Sequence, residues 1–448
     1  MPVAAVHGLA VTGRSVARAL IAHGWRVRLS DDNPTDAHAA FASTIGAELV
    51  SAGGPGGVAR VIDGVDMLVP APGVPPRNPV VAAAVAAGLP VRSEIDIAYE
   101  WEQLRDGGPR PVLGVTGTDG KTTTTMLTAH ILREAGLNAC EVGNTDVPFM
   151  ESVDDPSVDV FVVECSSFRL NWVTSFRCNA AVWLNLAPDH LDWHPDAAHY
   201  AAAKERIWSF ALPQDVTVSP VSEPLIAASA ARSAARGVTF GLARGDYRSE
   251  AGELVTPHGA AGRTADMWRS MPHDITNSLA ATALVMESGL VGLDTVRRAL
   301  QTFRSAGHRI ELVGEYAGST WFDDSKATSP HAALTAIRAF DRLVLIAGGR
   351  NKGLDLGEMA AEPHRMVGVV AIGDDGPSVA SAFEGICPVV TAGNMDAAVA
   401  AAASLAAPGD AVVLSPGCTS YDWYANYNER GDDFQRAVRD HFAGGEQQ

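Results

Sequence analysis

The stretch Pro111 to Thr125, PVLGVTGTDGKTTTT, runs from an apolar segment into a glycine-rich turn, a lysine and a row of threonines. An apolar run leading into glycine makes a buried strand. The threonines after Gly120-Lys121 make the first turn of a helix, so the chain must bend sharply from sheet into helix here. Backbone N–H groups of such a turn point inward, the helix adds its positive N-terminal end, Lys121 supplies a point charge, and Thr122 can offer its hydroxyl to Mg2+. That combination cradles nucleotide phosphates, and ATP is expected at Gly117, Thr118, Asp119, Gly120, Lys121, Thr122 and Thr123. The spacing departs from GxxxxGKS/T, because Gly114 lies one residue too early and Gly117 two residues too late. A plain strand-to-helix turn, with glycine for conformation and lysine for solubility, accounts less well for strand, glycines, lysine and threonines together. The loop specifies a nucleoside triphosphate without specifying the reaction.

A chain of 448 residues, 47% of them hydrophobic, is long enough for about three domains with their own cores. Its 34 basic and 52 acidic residues give a formal charge of −18, which argues against nucleic acid and anionic membrane as partners. Small anionic substrates must then meet local clusters of Lys, Arg, helix ends or metal. The five cysteines contain no CxxC pair, which suggests neither a disulfide framework nor a zinc site and fits a reducing cytoplasm. The opening MPVAAVHGLAVTGRS has no basic leader pattern, and later apolar runs fall short of the roughly 20 residues a membrane helix needs. A cytoplasmic monomer acting on small molecules is the expectation.

Alternating strand and helix patterns point to an α/β protein of three domains, at residues 1–100, 101–305 and 306–448. The first opens as a βαβ unit: VAAVHGL, a glycine turn, a helix from Ser15 to Gly24, and WRVRLSDD. Gly8, Ala10 and Gly13 nearly match GxGxxG, but a methyl at the middle position holds the backbone away from a dinucleotide pyrophosphate. A nucleotide or sugar nucleotide bound less closely fits better than a redox cofactor. The polar run RDGGPRP connects into the phosphate-loop domain, and the pattern restarts near Arg304 as a doubly wound unit.

Other chemistry-bearing residues cluster at the carboxyl ends of expected strands. Glu164 ends VDVFVVE, where an acid can hold the Mg2+ that bridges ATP phosphates. Asp189-His190 comes after AAVWLNL with metal-ligand side chains, although a single histidine there is as often structural, and Lys204 on the next helix would ordinarily be surface charge. In the last domain His308-Arg309, DDSKAT, Lys352 in AGGRNKG and SPGCTSYDWY could line one face, with Arg309 and Lys326 pairing to carboxylate or phosphate.

In order and across the whole chain, GTDGKTTTT, VECSSF, PDHLDWH, the spaced Lys204, HRIELV, DDSKAT, GGRNKG and SPGCTSYDWYANYNERG resemble the motifs of the Mur ligases of peptidoglycan synthesis. The first-domain opening, SEIDIAYEW, SKAT and the serine-rich tail are similar to members that join D-glutamate to UDP-N-acetylmuramoyl-L-alanine. The resemblance implies a Rossmann-like UDP-binding domain, a central P-loop ATPase and a Rossmann-like amino-acid-binding domain that close on their substrates. It implies an amide ligase: a carboxylate attacks the γ-phosphate of ATP to give an acyl phosphate, and the amine of D-glutamate then displaces phosphate. Two Mg2+ ions are implied, one held by Thr122 and Glu164, the other served by His190 and Lys204. A protonated lysine cannot ligate a cation, so Lys204 would be carbamylated.

By the same resemblance Lys121, His190, Lys204 and Lys326 are catalytic, Asn277 meets adenine, and Arg309 and Asp324 close on ATP. Asn144 contacts the sugar-nucleotide substrate, Thr12 and the Asp31-Asp32 strand end meet its uridine, and Thr328, Lys352, Ser420 and Tyr427 hold the glutamate. Asp119, Asp274 and Ser329 stand where the family commonly has Asn, and Tyr427 where it has Phe; these departures bear on fine contacts rather than on the reaction class. Rival readings are a folate polyglutamylating ligase, a ligase for L-glutamate or a secondary-metabolite carboxylate, and a non-catalytic scaffold. The last would tolerate loss of Glu164, His190 and Lys204, all of which are present.

Overall fold

A computed structural model describes residues 1–145, 147–305 and 307–443; the expected start of the last domain, residue 306, lies outside them. Four parallel strands form the first sheet: β1 (Val3–His7), β2 (Arg26–Asp31), β3 (Glu48–Ser51) and β4 (Met67–Pro70), in the order β3-β2-β1-β4. The turn after β1 needs its glycines. Gly8 sits at φ +92°, where a side chain is strained, and a Cβ on Gly13 would lie 1.9 Å from the Gly8 carbonyl oxygen. With both in place the helix begins at Val11, four residues before the Ser15 expected from sequence, and runs to Ala22.

The second sheet has nine strands: β5 (Val112–Thr116), β6 (Ala139–Gly143), β7 (Val160–Glu164), β8 (Ala180–Trp183), β9 (Val216–Pro220), β10 (Arg236–Gly241), β11 (Tyr247–Glu250), β12 (Glu253–Thr256) and β13 (Gly259–Arg263). Its core, β9-β8-β5-β7-β6, is parallel, and β5, β7 and β8 are buried along their whole length, as apolar runs covered on both faces must be. The edge from β10 to β13 closes with two antiparallel pairs. Sequence reasoning assigned no elements there, because short segments such as GAAGR carry almost no strand propensity.

The third sheet holds β14 (Glu311–Tyr316), β15 (Ser319–Asp323), β16 (Leu343–Gly348), β17 (Met366–Ile372), β18 (Val389–Thr391) and β19 (Ala411–Leu414), in the order β14-β15-β19-β16-β17-β18. All neighbours are parallel except the β14–β15 hairpin. That hairpin turns through Ala317 at φ +52° and Gly318 at φ +80°; alanine in a left-handed position hides the turn from sequence reading.

The chain folds as two compact units, Met1–Leu186 with Trp193–Ser270 and Asp274–Phe303, and Arg304–Gln448 with Ala187–Asp192 and Met271–His273. The first two sheets share one unit because their apolar residues merge: Val6, Leu20 and Ile97 belong to the same buried cluster as Phe149, Phe161 and Phe176. Between them the run expected to be a simple connection is anchored by Arg110. Its guanidinium makes a bidentate pair with the fully buried Glu102, donates to the carbonyls of Val153, Asp155 and Val158, and lies 4.6 Å from the Phe161 ring centre. Among the described residues no helix is long and apolar enough to cross a membrane.

Arg110→Leu leaves the Glu102 carboxylate buried without its cation and is expected to destabilise the first unit by about 3–5 kcal/mol. Denaturant titration followed by tryptophan fluorescence checks this; the Glu102→Gln/Arg110→Leu pair should recover part of the loss, and an unshifted midpoint for the single variant would refute the assignment.

Candidate active site

Three neighbouring strands, β8-β5-β7, bring their carboxyl ends together, the position at which open α/β sheets bind ligands. β5 delivers the glycine-rich turn. Gly120, at φ +79°, precedes the helix Lys121–Glu134, whose first turn has no side-chain cap, so its N–H groups face the turn. β8 supplies Asn185, whose side-chain oxygen accepts the backbone N–H groups of Thr118 and Asp119 at 3.0 and 2.9 Å while its NH2 donates to the Asp119 carbonyl at 3.1 Å. One amide thus fixes the loop from below.

Two lysines converge on the loop. Lys121 donates to the carbonyls of Gly117 and Thr118 at 3.0 and 2.7 Å, and Lys204, on the helix Ala197–Glu205, donates to the same Gly117 oxygen at 2.5 Å. Lys204 is 1% exposed, and its ammonium lies 4.6 Å from the ring centre of Tyr200, whose hydroxyl is 3.1 Å from Thr118 Oγ1. A lysine taken in sequence for surface charge is therefore buried at the loop. Asn277, on the helix Pro272–Glu287, is also at the loop: a Cβ on Gly120 would come 2.5 Å from its side-chain oxygen. The Asp274 departure has its own partner, since Arg269 pairs with it through two bonds of 2.6 and 2.7 Å. Thr122 is half-buried at the second position of the helix, and Thr123 is buried behind it.

β7 ends on Glu164, which is buried. Asn144 Nδ2 donates to Glu164 Oε1 at 2.9 Å, and Oε2 is buried without a hydrogen-bond partner among the described residues. An unmet carboxylate oxygen beside a phosphate-type loop, with a threonine hydroxyl at the start of the adjoining helix, is a donor set that suits a hard divalent cation such as Mg2+. In the first sheet, Thr12 is half-buried in the first turn after β1, and Asp31 Oδ2 accepts the Leu9 N–H at 3.0 Å, tying the end of β2 to that turn.

The second unit carries the other expected residues. His190 adopts a left-handed φ of +55° and its N–H donates to Asp189 Oδ1 at 2.8 Å; Asp189 lies 3.7 Å from Lys352 Nζ. After β15, Asp324 accepts from Ser415 Oγ at 2.7 Å and from the Ile310 N–H at 3.2 Å. Lys326 lies 5.0 Å from the Tyr427 ring centre. Thr328 is half-buried, and Ser329 caps the helix Pro330–Arg338 by accepting the Ala332 N–H at 3.3 Å, a role serine fills as well as asparagine. Ser420 is buried at 3% exposure. Arg309 is flanked by His308 and Ile310, both at positive φ, +59° and +47°. His308 Nδ1 bonds Asp323 Oδ2 at 2.7 Å, and Gln435 donates to both Asp323 and Glu311. His308, Glu311 and Asp323 have metal-ligand spacing, but these donors already occupy them.

Sequence reasoning passed over Asn185, Tyr200 and Arg430. Buried Arg430 binds Ser325 and the Cys418 carbonyl, joining the DDSKAT and SPGCTS segments, and burial pulls its pKa down to about 10. Each is a single residue without a local signal: Asn185 just past an apolar strand, Tyr200 on an alanine-rich helix and Arg430 in the serine-rich tail.

Residues 115–285 match the family described as Mur ligase middle domain, and residues 308–418 match Mur ligase, glutamate ligase domain. A protein named UDP-N-acetylmuramoylalanine--D-glutamate ligase from Frankia casuarinae is 39% identical, over 98% of this chain and 94% of its own. The chain belongs to the Mur ligase family. Proteins of the same name from Streptomyces avermitilis and Mycolicibacterium smegmatis are 38% and 36% identical, over 97% of this chain and 97% and 96% of theirs. Among solved structures, MurF from Acinetobacter baumannii superposes with a TM-score of 0.61 at 19% identity over 96% of this chain and 90% of that one. A pseudomurein peptide ligase type C from Methanothermus fervidus gives 0.60 at 16% over 98% and 100%. The α/β class of this Mur ligase is thus the one expected from its sequence.

Gly120→Ala places a methyl group against Asn277 and a side chain in a left-handed conformation, at about 1–3 kcal/mol of strain. Affinity for a fluorescent ADP analogue should fall about five- to a hundredfold with the circular dichroism spectrum unchanged; wild-type affinity would count against the loop geometry. The hydrogen bond to Asp323, with Asp432 and Glu311 nearby, raises the His308 pKa above its ordinary value, against the lowering effect of burial. A raised folded-state pKa gives stability that is fully present below about pH 6.5 and is lost as pH rises through the folded value. The difference in melting temperature between wild type and His308→Gln should accordingly be larger at pH 6 than at pH 9, and a gap independent of pH would contradict it.

Proposed function

We propose that this Mur ligase joins D-glutamate to UDP-N-acetylmuramoyl-L-alanine with cleavage of ATP to ADP and phosphate, as a cytoplasmic step in peptidoglycan precursor synthesis. The observation that carries the reading is the pairing of a glycine-rich loop, on which Lys121 and Lys204 converge, with the buried carboxylate of Glu164, one oxygen of which has no partner among the described residues. The substrates are inferred from the relatives named UDP-N-acetylmuramoylalanine--D-glutamate ligase, which align with nearly the whole chain.

A carboxylate is a poor electrophile and is repelled by a triphosphate, so the site has first to cancel charge. In this reading the loop from Gly117 to Thr123 holds the phosphates, and the Lys121 ammonium turns from the loop carbonyls to the phosphate oxygens. Thr122 and Glu164 would hold one Mg2+ and His190 with carbamylated Lys204 a second, and such ions would supply positive charge against the phosphates. Asn277 meets adenine, and Arg309, Asp324 and Lys326 close on the nucleotide. The substrate carboxylate forms an O–P bond as the bond to ADP breaks, and the D-glutamate nitrogen then forms the amide bond as phosphate leaves. Thr12 and Asn144 orient the sugar nucleotide, while Thr328, Lys352, Ser420 and Tyr427 hold the amino acid. The functional domains assigned are 1–100 for the sugar nucleotide, 101–305 for ATP and 306–448 for the amino acid, in a monomeric enzyme.

Phosphate release measured with ATP, Mg2+ and UDP-N-acetylmuramoyl-L-alanine should depend on D-glutamate and not on L-glutamate, and Lys121→Ala should abolish it in a folded protein. Added bicarbonate should raise the rate, and intact-mass spectrometry under native conditions should show carbon dioxide on the wild type but not on Lys204→Ala. Turnover with L-glutamate alone would overturn the assigned substrate.

A further inference from the structure

Glu94, Arg169, Asn144 and Glu164 form one unbroken chain of polar contacts. Arg169 Nε donates to Glu94 Oε1 at 2.8 Å, Arg169 Nη1 donates to Asn144 Oδ1 at 2.8 Å, and Asn144 Nδ2 donates to Glu164 Oε1 at 2.9 Å. Glu94 comes from the helix Glu94–Gln103 of the first sheet's lobe, and Arg169 from the one-turn helix Ser167–Leu170 just after β7. Both side chains of the ion pair are buried, at 2% and 5% exposure. Burial raises the Glu94 pKa, and Arg169 opposes that shift.

The chemistry of this chain fixes its direction. A guanidinium only donates, so the Asn144 amide must turn its oxygen to Arg169 and its NH2 to Glu164. Asn144 is held at a second point, since its backbone N–H donates to the Glu164 carbonyl at 2.8 Å. That backbone contact is made next to Gly143, at φ +95°, where a Cβ would lie 2.6 Å from the same carbonyl oxygen. With Oε1 engaged by a correctly turned amide, Glu164 keeps Oε2 as its unmet oxygen. Without the guanidinium the Asn144 oxygen loses its charged donor, and the amide is held in this orientation from the carboxylate side alone, which loosens the pose of Glu164.

We propose that Arg169 is a positioning residue for the metal-binding carboxylate: held by Glu94, it sets the Asn144 amide and thereby presents Glu164 Oε2 to the divalent cation. This rests on the proposed function, in which Glu164 is a Mg2+ ligand. Arg169 acts through the Asn144 amide, the side chain that it shares with Glu164. Its removal should weaken the cation specifically, because partners that orient a ligand typically contribute 10–100-fold to metal affinity.

The test is Mn2+ binding to the full-length protein in the presence of ADP, monitored by electron paramagnetic resonance. Arg169→Met should bind Mn2+ about 10–100-fold more weakly than wild type. Its ADP affinity in EDTA and its circular dichroism spectrum should be unchanged, a split that a purely structural role would not produce. The Glu94→Gln/Arg169→Met pair removes both buried charges together, which protects folding, and should show the same loss of Mn2+ affinity. Wild-type Mn2+ affinity in either folded variant overturns the positioning role while leaving the proposed function standing. A wild-type protein that binds no Mn2+ with ADP overturns both.

Discussion

The loop is organised around one carbonyl oxygen on which two lysine side chains meet. Lys121 and Lys204 both donate to the Gly117 carbonyl, and Lys204 does so from a buried position. Asn185 clamps the loop backbone and the Tyr200 hydroxyl contacts Thr118, so the turn is fixed on two sides.

One strand away, the buried Glu164 carboxylate accepts from the Asn144 amide, and among the described residues its second oxygen has no hydrogen-bond partner. The arginine next to it in the polar chain, Arg169, is committed to Glu94, and it reaches Glu164 only through the Asn144 amide.

The features legible in sequence were those whose meaning is local. The strand, glycines, lysine and threonines of the loop announce their geometry within fifteen or so residues, and an acid closing an apolar strand announces Glu164. Contacts across long separations were not legible: Thr118 and Asn185 are 67 residues apart, Arg430 and Ser325 are 105 apart, and nothing in either neighbourhood names its partner. Lys204 became interpretable only through resemblance, since a lysine on an alanine-rich helix looks solvated until its burial is known. Two apparent departures have structural partners of their own, Asp274 in Arg269 and Ser329 as a helix cap. The β14–β15 hairpin was missed because Ala317 occupies a turn position that glycine or asparagine usually marks.

The merged apolar cluster of the first two sheets has a bearing on how such proteins diversify. Val6 and Leu20 pack in the same interior as Phe149 and Phe161, and Ser93 and Asp96 exchange hydrogen bonds with residues 172–176. An exchange by recombination that cut the gene near residue 100 would sever that interior and expose apolar surface on both fragments. Exchanging the first sheet as a unit would therefore require the helices on either side of the seam to travel with it.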